Sequence, residues 1–306
     1  MVRPTYITGD FRRSKFFKDE SRLVLGIYRS NLTEKYSEEN RLADLITLAL
    51  ENGIRAFDFD HELASSFKIA FRNIVEKPSF LSTEIEIDEY ILTKHSSFFK
   101  DHLSNLLESL GLEQLDLVFL NYGNYNDLLT QDNIRREILK LQEEGLVKMI
   151  GITNSKRAIS KSEVDNKGFT AFKGSGKLNA CNLDAMNYDV PIVKSAGMAY
   201  YNTSILHNDL LGTMLEQYSR ERPDTELISN RDVNIAVMAT RIASRYGIDL
   251  ASLATRYSLS INEADRVVID LRNTKQLENV AESIFNGVLS EEIFNEVTEN
   301  IYAGNK

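Results

Sequence analysis

Short runs of apolar residues alternate along this chain with longer stretches whose apolar positions recur every three to four residues. The short runs are RLVLGIY (22–28), IRAFDFD (54–60), FLSTEIE (80–86), LDLVFLNY (115–122), VKMIGIT (147–153), KLNACNL (177–183), GMAYY (197–201) and RVVIDL (266–271). Several are nearly continuous in apolar character, as expected of strands buried on both faces. The longer stretches read as amphipathic helices. SEENRLADLITLALENG places Leu42, Leu45, Ile46 and Ala49 on one face, with Ser37 as a candidate N-cap and Gly53 as the stop. FFKDHLSNLLESLG repeats the pattern with Leu103, Leu106, Leu107 and Leu110, and ends at Gly111. DNIRREILKLQEEG, RDVNIAVMATRIASRYG and LASLATRYSLS supply three more.

Eight strand signals alternating with helices over one chain predict an α/β fold, a (β/α)8 TIM barrel occupying residues 1–306 as a single domain. A doubly wound open sheet is the competitor. It is disfavoured because no GxGxxG follows the first strand and no change of composition marks a second domain. Residues 1–21 read as an N-terminal extension or hairpin. The polar, glycine-spotted segment 155–176 reads as a loop or a poorly formed helix, and 202–230 as a long loop at the barrel mouth.

Composition narrows the chemistry. The chain has 306 residues, 42% of them hydrophobic, enough to fill a barrel core. Its one cysteine, Cys181, forms no intrachain disulfide and no cysteine-ligated cluster, and the four histidines are scattered without metal-site spacing; no metal site is assigned. A net charge of −9 makes it a poor partner for nucleic acid. No apolar run approaches the roughly 20 residues that a bilayer requires. The basic N-terminus lacks the apolar core of a secretory signal. These features lead us to expect a cytoplasmic protein that binds a small molecule, with neither nucleic acid nor membrane as partner.

In a barrel of this kind the site lies at the C-terminal strand ends. There the sequence places Asp58, Asp60 and His61, then Glu84 and Glu86, Asn121 and Tyr122, Thr153 and Asn154, Asn179 and Asn182, Tyr200 and Tyr201, and Asp270 and Arg272. Alternation along a strand turns one of each adjacent pair inward.

Four blocks, in order, resemble the aldo-keto reductases. LALENGIRAFDFDHELASSFKIAFRN resembles that family's helix–glycine–strand block ending in FDTA. LSNLLESLGLEQLDLVFLNYG resembles its SLKRLGLDYVDLYLIH. LQEEGLVKMIGITN is similar to its LKEEGKVRYIGVSN, and VVIDLRNTKQLENVAES to the block that holds the adenine end of NADP. The resemblance implies a barrel that binds NADP(H) in an extended pose and reduces carbonyls with an Asp–Tyr–Lys–His tetrad. It carries the Asp onto Asp58, but the Tyr position falls on Leu63, the Lys on Glu84 and the His on Asn121. Leucine has no proton to give, and a glutamate there works against an acidic tyrosine. Tyr28, Tyr122, Tyr200, Tyr201 and His61 lie near enough to the strand ends to stand in as proton donor.

The same resemblance assigns Thr153 and Asn154 to the nicotinamide amide, Tyr201 to nicotinamide stacking and Asn179 to the family's glutamine. It assigns Arg272, Gln276 and Asn279 to the adenine and phosphate side. Asp270 stands where the family often has glycine, and facing inward it would repel phosphate. The carboxylates Asp58 and Glu84 cannot both ionise cheaply side by side. Either one keeps a proton, or a cation sits between them: Arg29, Arg55, Lys194, a metal or a charged ligand group. Three functions follow: an NADP-linked oxidoreductase with a degenerate, non-standard site; a non-redox acid–base enzyme using Asp58, Glu84 and His61; or a non-catalytic binding or regulatory barrel. The sequence names no substrate and no oligomeric state.

Overall fold

The computed structural model describes residues 2–13, 21–32, 38–75, 77–87, 98–122, 128–153, 159–164, 168–174, 176–222, 225 and 228–304. Eight parallel strands close into a barrel in sequence order. They are β1 Leu23–Ile27, β2 Ala56–Phe59, β3 Phe80–Glu86, β4 Leu115–Asn121, β5 Val147–Thr153, β6 Ala171–Lys173, β7 Ala199–Asn202 and β8 Arg266–Asp270. The ring closes through β1 and β8, in a register that runs from Leu23 opposite Val267 to Gly26 opposite Asp270.

Around it lie helices α1 Glu39–Glu51, α2 Ala64–Asn73, α3 Phe98–Leu110, α4 Leu128–Glu143, α5 Lys161–Val164, α6 Asp189–Ser195, α7 Leu215–Glu221, α8 Asn230–Arg245, α9 Leu250–Ser260, α10 Thr274–Asn286 and α11 Glu291–Ala303. The apolar stripe read for α1 is the buried face, with Leu42, Leu45, Ile46 and Ala49 inward. In α3 the buried residues include Leu103, Leu106, Leu107 and Leu110.

Strand alternation splits the core in two. Leu25, Phe57, Val118, Ile152 and Val267 face outward into the helix layer. Val24, Ala56, Phe80, Leu117, Phe119, Ala171, Ala199, Tyr201 and Val268 fill the barrel interior. The N-terminal face of the barrel carries two buried arginines. Arg22 donates to the carbonyls of Ala264, Leu259 and Ile261. The Arg266 guanidinium lies 3.9 Å from the centre of the Phe80 ring, a cation–π contact that replaces part of its lost hydration. Residues 5–7 run along the same face, where Tyr6 bridges Ile261 and Ile7 N–H donates to Ser260.

The sixth strand differs from the sequence reading. It is Ala171–Lys173, inside the segment read as a loop, whereas 177–183 is irregular. Asn179 explains the difference. Its side-chain oxygen accepts the backbone N–H groups of Cys181 and Asn182, which folds the chain into a local turn. Leu178, Ala180 and Cys181 are buried around that turn, so the segment carries the apolar content of a strand without its geometry. The segment 202–230 also holds structure of its own, helix α7.

Candidate functional site

Alternation points Asp58, Glu84, Asn121, Thr153, Lys173 and Asp270 into the barrel at its C-terminal end, and Tyr28 follows β1 at the same rim. Asp58 is fully buried. Ser82 Oγ, from the neighbouring strand, donates to its Oδ1 at 2.8 Å. Its Oδ2 takes two partners: the Lys173 ammonium from β6 and the Tyr28 hydroxyl from β1. Lys173 also donates to Glu84 Oε2 at 3.1 Å, and Asn121 Nδ2 donates to Glu84 Oε1 at 2.6 Å. The ammonium lies 4.9 Å from the centre of the Tyr28 ring and 5.5 Å from that of Phe119. One chain of polar contacts therefore links Tyr28, Asp58, Lys173, Glu84 and Asn121 across five of the eight strand ends.

The cation required between Asp58 and Glu84 is thus Lys173, and none of the candidates named from sequence. Burial alone would lower the Lys173 pKa, but Asp58, Tyr28 and Glu84 raise it well above its ordinary value, so the amine stays charged. Burial and the adjacent Asp58 push the Tyr28 hydroxyl well above the ordinary phenol range, against the pull of Lys173. Leu63, at the position that the resemblance gives to tyrosine, is buried in the outer core and is the last residue of a short 3₁₀ turn, His61–Leu63.

The site opens into a cleft of about 720 Å³ lined by residues including Tyr28, Arg29, Asp60, His61, Glu62, Glu84, Glu86, Lys173, Ser204 and Asp270. His61 sits on its wall, edge-on to His102 at 4.7 Å between ring centres. Asp60 accepts the Arg29 backbone N–H at 2.7 Å, and Glu62 pairs with the Arg29 guanidinium at 2.7 Å. Asp270 faces this cleft from the end of β8. Burial pushes its carboxyl up to about 6, against the pull of Lys173 and Arg272. Gly26 makes the convergence of Tyr28 and Asp270 possible: a Cβ there would come within 2.6 Å of the Tyr28 ring and 2.9 Å of Asp270 Oδ1.

A narrow pocket of about 50 Å³ adjoins the cleft. It is lined by residues including Asn31, Ser204, His207, Asp209, Asp270, Arg272 and Gln276. Asn31, Ser204 and Asp270 belong to both cavities. Arg272 N–H donates to Gln276 Oε1 at 2.7 Å at the start of α10, and Asn279 lies half-buried one turn on. The two cavities form a path from Lys173 to the first turn of α10, the path along which the resemblance would lay a dinucleotide. Not every residue assigned to such a ligand lines that path. Thr153 is buried and donates its hydroxyl to the Lys173 carbonyl at 3.0 Å. Asn179 is fully buried in its own turn. The Tyr201 ring lies inside the barrel against Phe119, at 5.1 Å between centres. Asn154 lies outside the described residues.

The comparisons with known proteins agree with this architecture. The sequence model of the Aldo/keto reductase family matches residues 22–301. The chain belongs to the aldo/keto reductase family. D-arabinose 1-dehydrogenase of Saccharomyces cerevisiae is 27% identical over 267 residues, 78% of this chain and 75% of the yeast protein. Methylglyoxal reductase DkgB of Escherichia coli O157:H7 is 27% identical over 113 residues, which is 36% of this chain and 41% of that reductase. In fold, the chain is similar to a thermostable aldo-keto reductase solved with the inhibitor epalrestat, with a TM-score of 0.71 and 14% identity over 98% of this chain and 100% of that one. It is similar also to the glycerol dehydrogenase of Gluconobacter oxydans, with a TM-score of 0.70 and 18% identity over 95% of each. No helix among the described residues is long and apolar enough to cross a membrane.

Lys173 and Asp270 are the residues that sequence reasoning undervalued. Lys173 follows Ala171 and Phe172 in a three-residue strand. A lone lysine closing a buried strand needs an anionic partner at that depth, and that was the available signal.

Proposed function

We propose that this member of the family is a nicotinamide-dinucleotide-linked oxidoreductase that interconverts carbonyl and hydroxyl groups on small polar substrates, with its acid machinery moved to different strands. The observation that carries this reading is the shared carboxylate of Asp58. Its oxygen holds both a lysine ammonium and a tyrosine hydroxyl, although neither comes from the position that the family pattern gives it. A bound nicotinamide would supply or accept the hydride.

The chain's own residues supply the proton and the field. Tyr28 carries an O–H at the cleft, on a ring beside the Lys173 ammonium. Donation from Tyr28 to a carbonyl oxygen in the cleft leaves a phenolate that the ammonium stabilises. Asp58 fixes both groups, and Glu84, held by Asn121, keeps the lysine from swinging away. Burial and the adjacent Asp58 carboxylate make Tyr28 a weaker acid than a tyrosine beside an uncompensated lysine. Turnover is expected to be slow on unactivated ketones and faster on aldehydes and dicarbonyls. The acidic cleft wall favours neutral or cationic polar substrates over anionic ones.

The test is an assay of NADH and NADPH oxidation against methylglyoxal, short aldehydes and ketones, with D-arabinose oxidation as the reverse reaction. Tyr28→Phe should lower turnover by about 10²–10⁴-fold while leaving cofactor affinity unchanged. Equal rates for wild type and Tyr28→Phe would remove Tyr28 from the mechanism. A wild type inert on the whole panel would count against oxidoreductase activity itself.

One observation favours a second reading. Asp270 stands at the same cleft with a carboxyl titrating at about 6, a suitable acid for dehydration or isomerisation near neutral pH. Conversion of a hydroxylated substrate without consumption of cofactor would support it.

A further inference from the structure

The pocket beside Arg272 carries information about which dinucleotide the groove accepts. Arginine suits a 2′-phosphate because its planar fork matches phosphate oxygens, whereas a carboxylate at the same place accepts hydrogen bonds from a ribose diol and repels phosphate. Here both groups are present. Arg272 Nη1 lies 3.6 Å from Asp209 Oδ2. The arginine side chain is 35% exposed and the aspartate 5%.

Asp209 is held where it stands. It ends a run of three residues in the left-handed region, His207, Asn208 and Asp209, with φ of 49°, 51° and 65°. Its carbonyl accepts the N–H groups of Gly212 and Met214 at 3.0 and 3.1 Å. Its Oδ2 accepts the Thr213 hydroxyl. A Cβ at residue 212 would come within 2.2 Å of Asp209 Oδ1, so the glycine there leaves room for the carboxylate. Three non-glycine residues in that backbone region are costly, and they persist only where the surroundings fix them. The carboxylate therefore cannot retreat when an anion arrives. Asp270 lines the same pocket and adds a second negative charge.

Building on the reading that a nicotinamide dinucleotide binds, we infer that the pocket selects NAD(H) over NADP(H): Asp209, fixed against Arg272, accepts the adenosine ribose diol and repels a 2′-phosphate. The 2′-phosphate carries close to two negative charges, and Arg272 is already engaged by Asp209. Its charge therefore meets a pocket with two carboxylates against one guanidinium. The unphosphorylated ribose brings no charge and two donors.

The experiment titrates the full chain separately with NADH and NADPH, following cofactor fluorescence and, in parallel, binding heat. Wild type should bind NADH at least about tenfold more tightly than NADPH. Asp209→Asn keeps the shape and removes the charge; it should tighten NADPH by about tenfold and leave NADH unchanged or weaker. Equal binding, or preference for NADPH, in the wild type overturns the inference but leaves the oxidoreductase reading intact. Binding of neither dinucleotide overturns that reading and takes the inference with it. If Asp209→Asn does not fold, the wild-type ratio decides alone. If it folds and tightens NADH and NADPH equally, Asp209 is not the selecting group and the inference fails.

Discussion

Lys173 shows how a buried charge is tolerated when its partners are built in. Lys173 is 7% exposed and its ammonium meets two carboxylates, so the cost of leaving water is offset by two ion pairs. Asp270, two strands along at the end of β8, is only partly compensated: Lys173 and Arg272 pull against its burial without overcoming it. Its carboxyl titrates at about 6, well above the ordinary carboxylate near 4. Between these values the folded protein holds a proton that the unfolded chain has released. Stability from this group is therefore greatest below pH 4 and falls as pH rises through 6. Above that range the charged carboxylate costs roughly 3 kcal/mol. Asp270→Asn should stabilise the protein by up to that amount at pH 7.5 and change little near pH 4, as read from denaturation midpoints at the two pH values. A gain of equal size at both would show that the effect is packing and not ionisation.

At the scale of elements, helices were more legible than strands. The stripes of α1 and α3 repeat over 13 residues each, long enough for periodicity to outweigh chance. β6 has 3 residues and no period to read. Some helix ends depend on single side chains. At the start of α8, Ser229 accepts the Asp232 N–H at 3.2 Å while Asp232 accepts the Ser229 N–H at 3.0 Å, a reciprocal capping box. Burial alone would raise the Asp232 carboxyl, but the His207 ring, 3.4 Å from its Oδ2, and hydrogen bonds from Ser229 bring it down to about 2. Helix α8 is thereby joined to the residue 207 turn beside the Arg272 pocket. Ser229→Ala should cost about 1 kcal/mol, seen as a lower denaturant midpoint at unchanged slope. No shift in the midpoint would mean that Asp232 caps the helix without the serine.

At the scale of the whole molecule, the barrel interior and the site are one packed column. Phe119 lies over Gly151, where a Cβ would come within 2.5 Å of the ring. The same ring touches Tyr201 from below and lies under the Lys173 ammonium. A single methyl group at residue 151 therefore has to move a ring that lies under the buried Lys173 ammonium. Gly151→Ala should destabilise by about 1–3 kcal/mol through overpacking. It should also weaken turnover of any carbonyl substrate more than it weakens cofactor binding. Unchanged stability in thermal unfolding would mean that the interior relaxes more freely than close packing allows.

The sequence by itself determined the barrel and the family, because strand and helix periods and ordered motifs are local properties of the chain. The resemblance also put Leu63 and Glu84 where the family pattern has its tyrosine and lysine. The tertiary structure decided what stands near Asp58 instead. Lys173 is 115 positions away from Asp58 in sequence, and only barrel closure brings β6 opposite β2. The same holds for Asp209 and Arg272, which meet because the turn after β7 folds back over the end of β8. Asn179 shows the converse: a polar side chain bonding to nearby backbone overrides a strand-like composition. Contacts between distant strand ends depend on register and closure, and neither is written in any one segment of the chain.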